Sequence, residues 1–508
     1  MRLLSGVVSV PAPSSQFPFV QNQINKELSK TRKDMEKSML KPPPDWSTNE
    51  TLPTSRMEHS DLVAVLQKLH DHEGVSDRCA AGKVSGTVYA GGAGFKEYTD
   101  MLNTATSLFA WTNPLHPSVF PAVRQMESEV IAMTCNIFNG SSTSCGLVTA
   151  GGTESICMAL KAYRDYARDV RGITKPNLVA PRTAHPAFDK GCDYFGIALR
   201  KIHENPTTRV ADLKAMRAAC DSNTIALVGS CPQYPHGAVD PIEELGKLAK
   251  EYGCGMHVDC CLGSFLVPFM RKAGFEFPNF DFSVRGVTSI SCDTHKYGMS
   301  PKGTSVLMYS HPKYRHAQYS VFPDWPGGIY GTPGIAGSRP GALLASTWAA
   351  MMSHGEEGYI SNCQQIVGAS RKIAEGIKGI PGLKLVCTPD VSVVAWTSDE
   401  FDINRLVTGL IEGKGWDLNV LQFPPAIHIG VTMAHTGEGI VESFIADLAE
   451  CTAELVANPS DKVSGGAALY GMAQAIPDRT VIGDIVKVYI DAMTVTTAGK
   501  MEKAITAA

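Results

Sequence analysis

Three short segments of this 508-residue chain carry residue types that could do chemistry together. The first is SCDTHKYGMSPKG, Ser291 to Gly303, where Lys296 sits just past a buried-looking strand and before a glycine-bearing loop. A His-Lys pair alone means little, but ligands of open α/β sheets collect beyond the carboxyl ends of strands. The second is Asp259, which closes the run GMHVD. A carboxylate there can make a charge-assisted bond to a protonated pyridine nitrogen and so stabilise an electron sink; taken alone, it could equally cap a helix. His257 lies two residues earlier, on the same face of a strand. A metal site built from His257, Asp259 and Cys261 lacks a further well-spaced ligand. The third is TAGGTES, Thr149 to Ser155, which opens a helical pattern. Its two glycines let the backbone approach an anion, Thr153 offers a hydroxyl, and the free N–H groups of a helix start favour phosphate. Phosphate cradle, strand-end acid and strand-end amine are the three anchors needed by pyridoxal 5′-phosphate (PLP), for its phosphate, ring nitrogen and aldehyde. His185, in APRTAHPAFDK, could stack on such a ring or be an ordinary core or surface histidine.

Such residues need a scaffold that brings strand ends together. From about Asp61 to Met308, apolar strand-like runs alternate with helix-like segments, the pattern of a mainly parallel sheet covered by helices. Candidate strands are Leu178–Ala180, Ile225–Ser230, Gly255–Asp259, Val287–Cys292 and Ser305–Tyr309. Between the second and third, Asp240 is placed to cap a helix, with Pro241 at its first position, Glu243 closing a capping box and Gly253 ending it. After about Gly341 the pattern changes to a long helix, strand-like Leu383–Val386 and Val391–Trp396, and further helices. The expected division is an N-terminal arm over 1–60, a large domain over 61–345 and a smaller α+β domain over 346–508.

Composition sets the limits on function. Apolar residues make up 44% and charged residues 19%, an ordinary globular balance. The net charge of −4 offers no positive field to nucleic acid. The 14 cysteines include no C-x-x-C pair, so reduced, packed thiols are expected rather than a zinc or dithiol site. Asn25 to Lys41 interleaves basic residues with Glu27, Asp34 and Glu36, which favours a solvated face over a membrane-surface helix. The apolar run at the N-terminus is broken by Pro11 and too short to span a bilayer, so a cytoplasmic protein with at most peripheral membrane contact is expected.

The longer segments WTNPLHPSVFPAVRQMESEV, TAGGTESICMALKAYRD, HVDCCLGSFLVPFM, GVTSISCDTHKYGMSPKG, GGIYGTPGIAGSRPG and WDLNVLQFPPAIHI resemble the sphingosine-1-phosphate lyase family. These are fold-type I PLP enzymes related to the group II amino acid decarboxylases, and the resemblance runs from about Asp61 to the C-terminus. It implies a seven-stranded, mainly parallel sheet, a smaller C-terminal domain and a homodimer with a shared active site. It implies that Lys296 bonds covalently to the cofactor aldehyde, that Asp259 binds the ring nitrogen and that His185 stacks on the ring. Gly152, Thr153 and His295 would hold the cofactor phosphate. Tyr89, Asn113, His116, Lys302, Ser338 and Arg339 would line the substrate phosphate and the reaction site, some of them contributed by the partner subunit.

The implied reaction is retro-aldol cleavage of a phosphorylated sphingoid base to a fatty aldehyde and phosphoethanolamine. A group II decarboxylase would share the Lys, Asp and His framework, so TNPLHP, SPKG and GSRPG carry the distinction. A catalytically silent PLP-fold binding protein is the reading from another class, and the intact Lys296, Asp259 and Thr153 oppose it. Two departures from the family stand out: the N-terminal membrane anchor common in its eukaryotic members, and the Gly91-Gly92 pair where a more polar segment is expected after Tyr89.

Overall fold

The computed structural model describes residues 33, 40–44, 46–92, 94–458 and 479–496. Most of the expected arm, including Asn25 to Lys41 apart from residues 33, 40 and 41, lies outside the described residues. The chain forms two compact units, residues 1–77 with 464–508, and residues 78–463. In the first, the helix His59–Glu73 buries none of its residues and is tied through Lys68 Nζ to the Pro44 carbonyl (3.0 Å). Also in this unit, the helix Arg479–Ala492 buries Val488 and Ala492.

The second unit is built on a seven-stranded sheet of order β1-β7-β6-β5-β4-β2-β3. Its strands are β1 (Cys145–Thr149), β2 (Asn177–Pro181), β3 (Ala198–Ile202), β4 (Thr224–Ser230), β5 (Gly255–Asp259), β6 (Ser289–Cys292) and β7 (Ser305–Tyr309). All of them except β7 run in one direction; β7 is antiparallel to both β1 and β6. The carboxyl ends of β1, β2, β5 and β6 therefore share one edge with the amino end of β7. That edge collects the loops bearing Gly152, His185, Asp259, Lys296 and Lys302.

β1, β2, β4, β5, β6 and β7 are buried throughout, as strands covered on both faces must be. Covering helices include α1 (Gly152–Arg171) and α2 (Ala187–Phe195), which pack on each other. The helix α3 (Ile242–Glu251) forms as expected between β4 and β5, but its expected cap does not. Asp240 instead accepts from the Ser230 and Ala211 amides (2.8 Å each). Glu243 accepts from the Asn279 amide at 3.3 Å rather than closing a capping box. The buried amides of Ala211 and Ser230 outcompete the helix start, because an unpaired buried N–H costs more than a solvated one.

A short hairpin, β8 (Ser320–Phe322) and β9 (Tyr330–Thr332), follows α/β residues of the main sheet, and then α4 (Gly341–Lys378). The last is kinked at Gly355, whose φ of 55° is a left-handed value that glycine tolerates. The division expected at residue 345 falls inside α4, which packs on elements from both sides of it. Beyond it lie a four-stranded antiparallel sheet, β10 (Lys384–Leu385), β11 (Val393–Thr397), β12 (Asn419–Leu421) and β13 (Ala426–Gly430), and α5 (Ile440–Ala457).

Candidate active site

At the shared strand edge lies a cavity of about 580 Å³, walled by residues that include Gly151, Gly152, Thr153, His185, His295 and Lys296. This is the size range of small-molecule and cofactor sites. Its floor at the start of α1 admits no side chain: a Cβ on Gly152 would lie 2.7 Å from Cys261 Sγ and 2.9 Å from Asp293 Oδ1. The first-turn amides of a 20-residue helix, which have no intrahelical acceptor, are thereby open to close approach by an anion. Glu154 braces this turn by accepting from the Ala150 amide (2.7 Å) and the Ile335 amide (3.3 Å).

Lys296 follows β6 on a tight turn closed by its own N–H to the Asp293 carbonyl (3.2 Å). Its ammonium is 2.9 Å from Asp293 Oδ2, an ion pair that the sequence analysis did not identify. Burial works against the Lys296 charge, but the Asp293 carboxylate overcomes it and holds the ammonium well above the ordinary lysine value. Asp293 Oδ1 is buried with no hydrogen-bond partner, an orphaned acceptor inside the site. The signal was available in the spacing: Asp293 is three residues before Lys296, which one turn of backbone places alongside it. His295 Nδ1 donates to the Thr304 carbonyl (2.6 Å), and burial pushes its pKa down. The His295 ring lies over the cradle, its Cε1 3.8 Å from where a Gly151 Cβ would be.

His185 is exposed to the cavity, and its Nδ1 accepts from the Ala187 amide (3.1 Å) at the start of α2. That bond puts the proton of the neutral ring on Nε2 and fixes the ring plane. Asp259 is only 7% exposed and lies behind Cys261, which is in the cavity wall. Its Oδ1 accepts from the Cys261 amide (3.1 Å) and the Ser291 hydroxyl (3.3 Å). The carboxylate thus ends β5 as expected and ties down the turn that follows it, without starting a helix.

Tyr89 and Lys302 meet beside Lys296. Lys302 Nζ lies 4.8 Å from the Tyr89 ring centroid and 3.5 Å from the His295 carbonyl. Tyr89 is buried edge-to-face on Tyr297, with centroids 4.8 Å apart. Burial, partly offset by the Lys296 charge, pushes the Tyr89 hydroxyl up to about 12, so it is a neutral donor at neutral pH. Partial withdrawal from water, reinforced by Lys296, lowers Lys302 to about 8.

None of the six residues assigned to the substrate is in the wall of the Lys296 cavity; Tyr89 and Lys302 stand beside it, and the other four gather elsewhere. Asn113 Nδ2 donates to Ser338 Oγ (3.1 Å), and Asn113 Oδ1 accepts from the Arg339 amide (3.2 Å). Arg339 pairs through both guanidinium nitrogens with Glu127, at 3.1 Å for Nη2. His116 is exposed on the turn closed by its N–H to the Asn113 carbonyl (3.1 Å).

Glycine cradle, orphaned acid, amine and flanking imidazole fit PLP in donor set and in shape. Residues 96–398 match the pyridoxal-dependent decarboxylase conserved domain. A sphingosine-1-phosphate lyase of Drosophila melanogaster is 45% identical over 492 residues, covering 96% of this chain and 88% of that protein. The structure of a Burkholderia pseudomallei sphingosine-1-phosphate lyase superposes with a TM-score of 0.78 at 37% identity, covering 86% of this chain and 98% of that one. A Lactobacillus brevis glutamate decarboxylase shares the fold at a TM-score of 0.68 and 18% identity, over 82% of this chain and 97% of that one. The chain belongs to the pyridoxal-dependent decarboxylase family and, within it, to the sphingosine-1-phosphate lyases.

Proposed function

We propose that this PLP-dependent lyase cleaves sphingosine 1-phosphate or related phosphorylated long-chain bases to a fatty aldehyde and phosphoethanolamine. The observation that carries this reading is the second cation: Lys302 stands beside Lys296 at the same strand edge, apart from the glycine cradle. One site then offers two anion receivers, one for the cofactor phosphate and one for a substrate phosphate.

When bound, PLP supplies an aldehyde that condenses with amines and a pyridinium ring that takes up the electron pair released at the substrate Cα. Lys296 would provide the amine that anchors it, with Asp293 2.9 Å away to hold that nitrogen as an ammonium when it is free. Gly152, Thr153 and His295 would hold its phosphate, His185 would face its ring, and Asp259 would pair with its ring nitrogen. In the substrate, the 3-hydroxyl loses its proton, the Cα–Cβ bond breaks, Cβ leaves as the aldehyde carbon, and Cα regains a proton. Tyr89 and Lys302 grip the remote phosphate, so binding energy far from the reacting bond fixes which bond at Cα is aligned to break.

A second copy of the chain completes the site in this reading. Asn113, His116, Ser338 and Arg339 lie outside the Lys296 cavity, on segments that also expose Trp111 (94%) and Ile329 (87%). A second subunit covering such residues would bring these polar groups to the partner's substrate phosphate. No helix among the described residues is long and apolar enough to cross a membrane.

The test is incubation of the purified holoenzyme with a phosphorylated and a non-phosphorylated long-chain base, with detection of fatty aldehyde. Aldehyde from the phosphorylated base alone is expected. Equal use of both bases, or carbon dioxide released from an amino acid instead, would overturn the reading.

Lys302 carries a further prediction. The ammonium form binds phosphate, so kcat/KM for the phosphorylated base should fall as pH rises through about 8, where Lys302 loses its charge. Lys302→Ala should raise KM about ten- to a hundred-fold, the scale of a lost hydrogen bond to a charged group. Lys302→Arg should shift the alkaline limb upward. An unchanged pH profile in both variants would show that another group titrates there.

A further inference from the structure

β5 and β6 run parallel with His257 opposite Ser289 and Asp259 opposite Ser291. Side chains two residues apart on a strand share a face, so this register places all four on one side of the sheet. They form a continuous chain of hydrogen bonds there. Tyr163 Oη from α1 bonds to Ser289 Oγ, Ser289 Oγ lies 2.7 Å from His257 Nδ1, His257 Nε2 lies 3.1 Å from Ser291 Oγ, and Ser291 Oγ lies 3.3 Å from Asp259 Oδ1. Tyr163, Ser289, His257 and Ser291 are each at most 2% exposed.

The direction of every proton follows from the end of the chain. A carboxylate only accepts, so Ser291 donates to Asp259 and must itself accept from His257 Nε2–H. A neutral imidazole with its proton on Nε2 has a bare Nδ1, which accepts from Ser289, and Ser289 in turn accepts from Tyr163. Burial lowers His257 to about 4, which keeps the ring neutral and this single ordering in force. Phe188 packs edge-on against the His257 ring, with centroids 5.6 Å apart. The Asp259 charge also has a like neighbour: with burial as the main cause, the Asp259 carboxylate helps raise buried Asp240 to about 6.

We infer that Tyr163, Ser289, His257 and Ser291 form a one-way positioning relay that holds the Asp259 carboxylate in one orientation for the cofactor ring nitrogen. The inference rests on the proposed role of Asp259 and goes beyond it, since none of the four relay residues lines the cofactor cavity. Successive bonds in a low-dielectric interior polarise one another, so removal of a link should act on Asp259 in proportion to its closeness.

The test uses holoenzyme reconstituted with PLP labelled with ¹⁵N in its ring, read by the ¹⁵N chemical shift, by the dissociation constant for PLP and by turnover. Ser291→Ala should move the ring nitrogen toward the unprotonated shift and weaken PLP binding about ten-fold, the lower end for a hydrogen bond to a charge. Ser289→Ala and Tyr163→Phe should follow with successively smaller shifts, and Ser291→Thr, which restores the hydroxyl, should return the signal. Tyr163→Phe keeps the test open if Ser291→Ala fails to fold, because it removes one oxygen and no volume elsewhere. Asp259→Ala is the control that separates the two ideas. If it shifts the ring nitrogen while the relay variants leave both readouts at wild-type values, the relay is refuted and the Asp259 assignment stands. If Asp259→Ala itself changes neither readout, the Asp259 assignment falls and the relay with it.

Discussion

Lys296→Ala is expected to lose turnover by about 10⁴-fold or more, a barrier increase of about 5 kcal/mol, and to lose the visible absorption band of the protein-bound cofactor. No neighbouring group can replace the missing amine. Lys302 is held over the Tyr89 ring and by the His295 carbonyl, and Lys190 in the cavity wall lies over the Tyr194 ring. The substitution also leaves the Asp293 carboxylate buried without its cation, which costs stability as well as activity. Turnover and an absorption spectrum on the same preparation, with a melting curve to separate folding from chemistry, decide the matter. Retained turnover in a folded Lys296→Ala protein would refute the assignment of this residue.

Asp259→Asn is the second large effect and is cleaner structurally. The amide keeps an oxygen that can accept from the Cys261 amide and the Ser291 hydroxyl, so the turn after β5 should survive while the charge is lost. A neutral partner cannot hold a proton on the ring nitrogen, and the electron sink weakens. Turnover should fall about 10²- to 10³-fold, the scale of removing one preorganised electrostatic partner, with PLP still bound. A near-normal kcat in this variant would show that the ring nitrogen is held by some other group.

The strands legible in the sequence were the continuous apolar ones. Ile225–Ser230, Gly255–Asp259 and Ser305–Tyr309 coincide with β4, β5 and β7 to within one residue. β3 escaped notice because it lies at the sheet edge and reads ALRKI, with Arg200 and Lys201 where an interior strand would be apolar. β1 escaped because CGLVT has a glycine as its second residue. A Cβ on Gly146 would lie 2.6 Å from the Leu307 carbonyl oxygen, so the residue that weakens the strand pattern is the one that permits its pairing with β7.

The candidate site was legible in the same uneven way. Lys296, Asp259 and the glycine cradle stand out because each follows a recognisable strand or opens a recognisable helix. Asp293 is marked only by its spacing, three residues before Lys296, and the backbone turn between them is what brings its carboxylate to that amine. Ser289 and Ser291 look like any serine in a buried strand until the pairing of β5 with β6 sets them opposite His257 and Asp259. Asp240 shows the converse, a strong local capping signal overridden by two distant amides.

The reversed strand β7 has a consequence for redesign. Because β6 leaves the strand edge and β7 returns from it, Lys296 and Lys302 belong to a single connection, residues 293–304, anchored at each end by a buried strand. The length of that connection is a ruler for the distance between the covalent handle and the headgroup clamp, independent of the sheet that carries both. Adding or deleting a residue between the two lysines would retune the headgroup accepted while the hydrophobic layers beneath stay as they are.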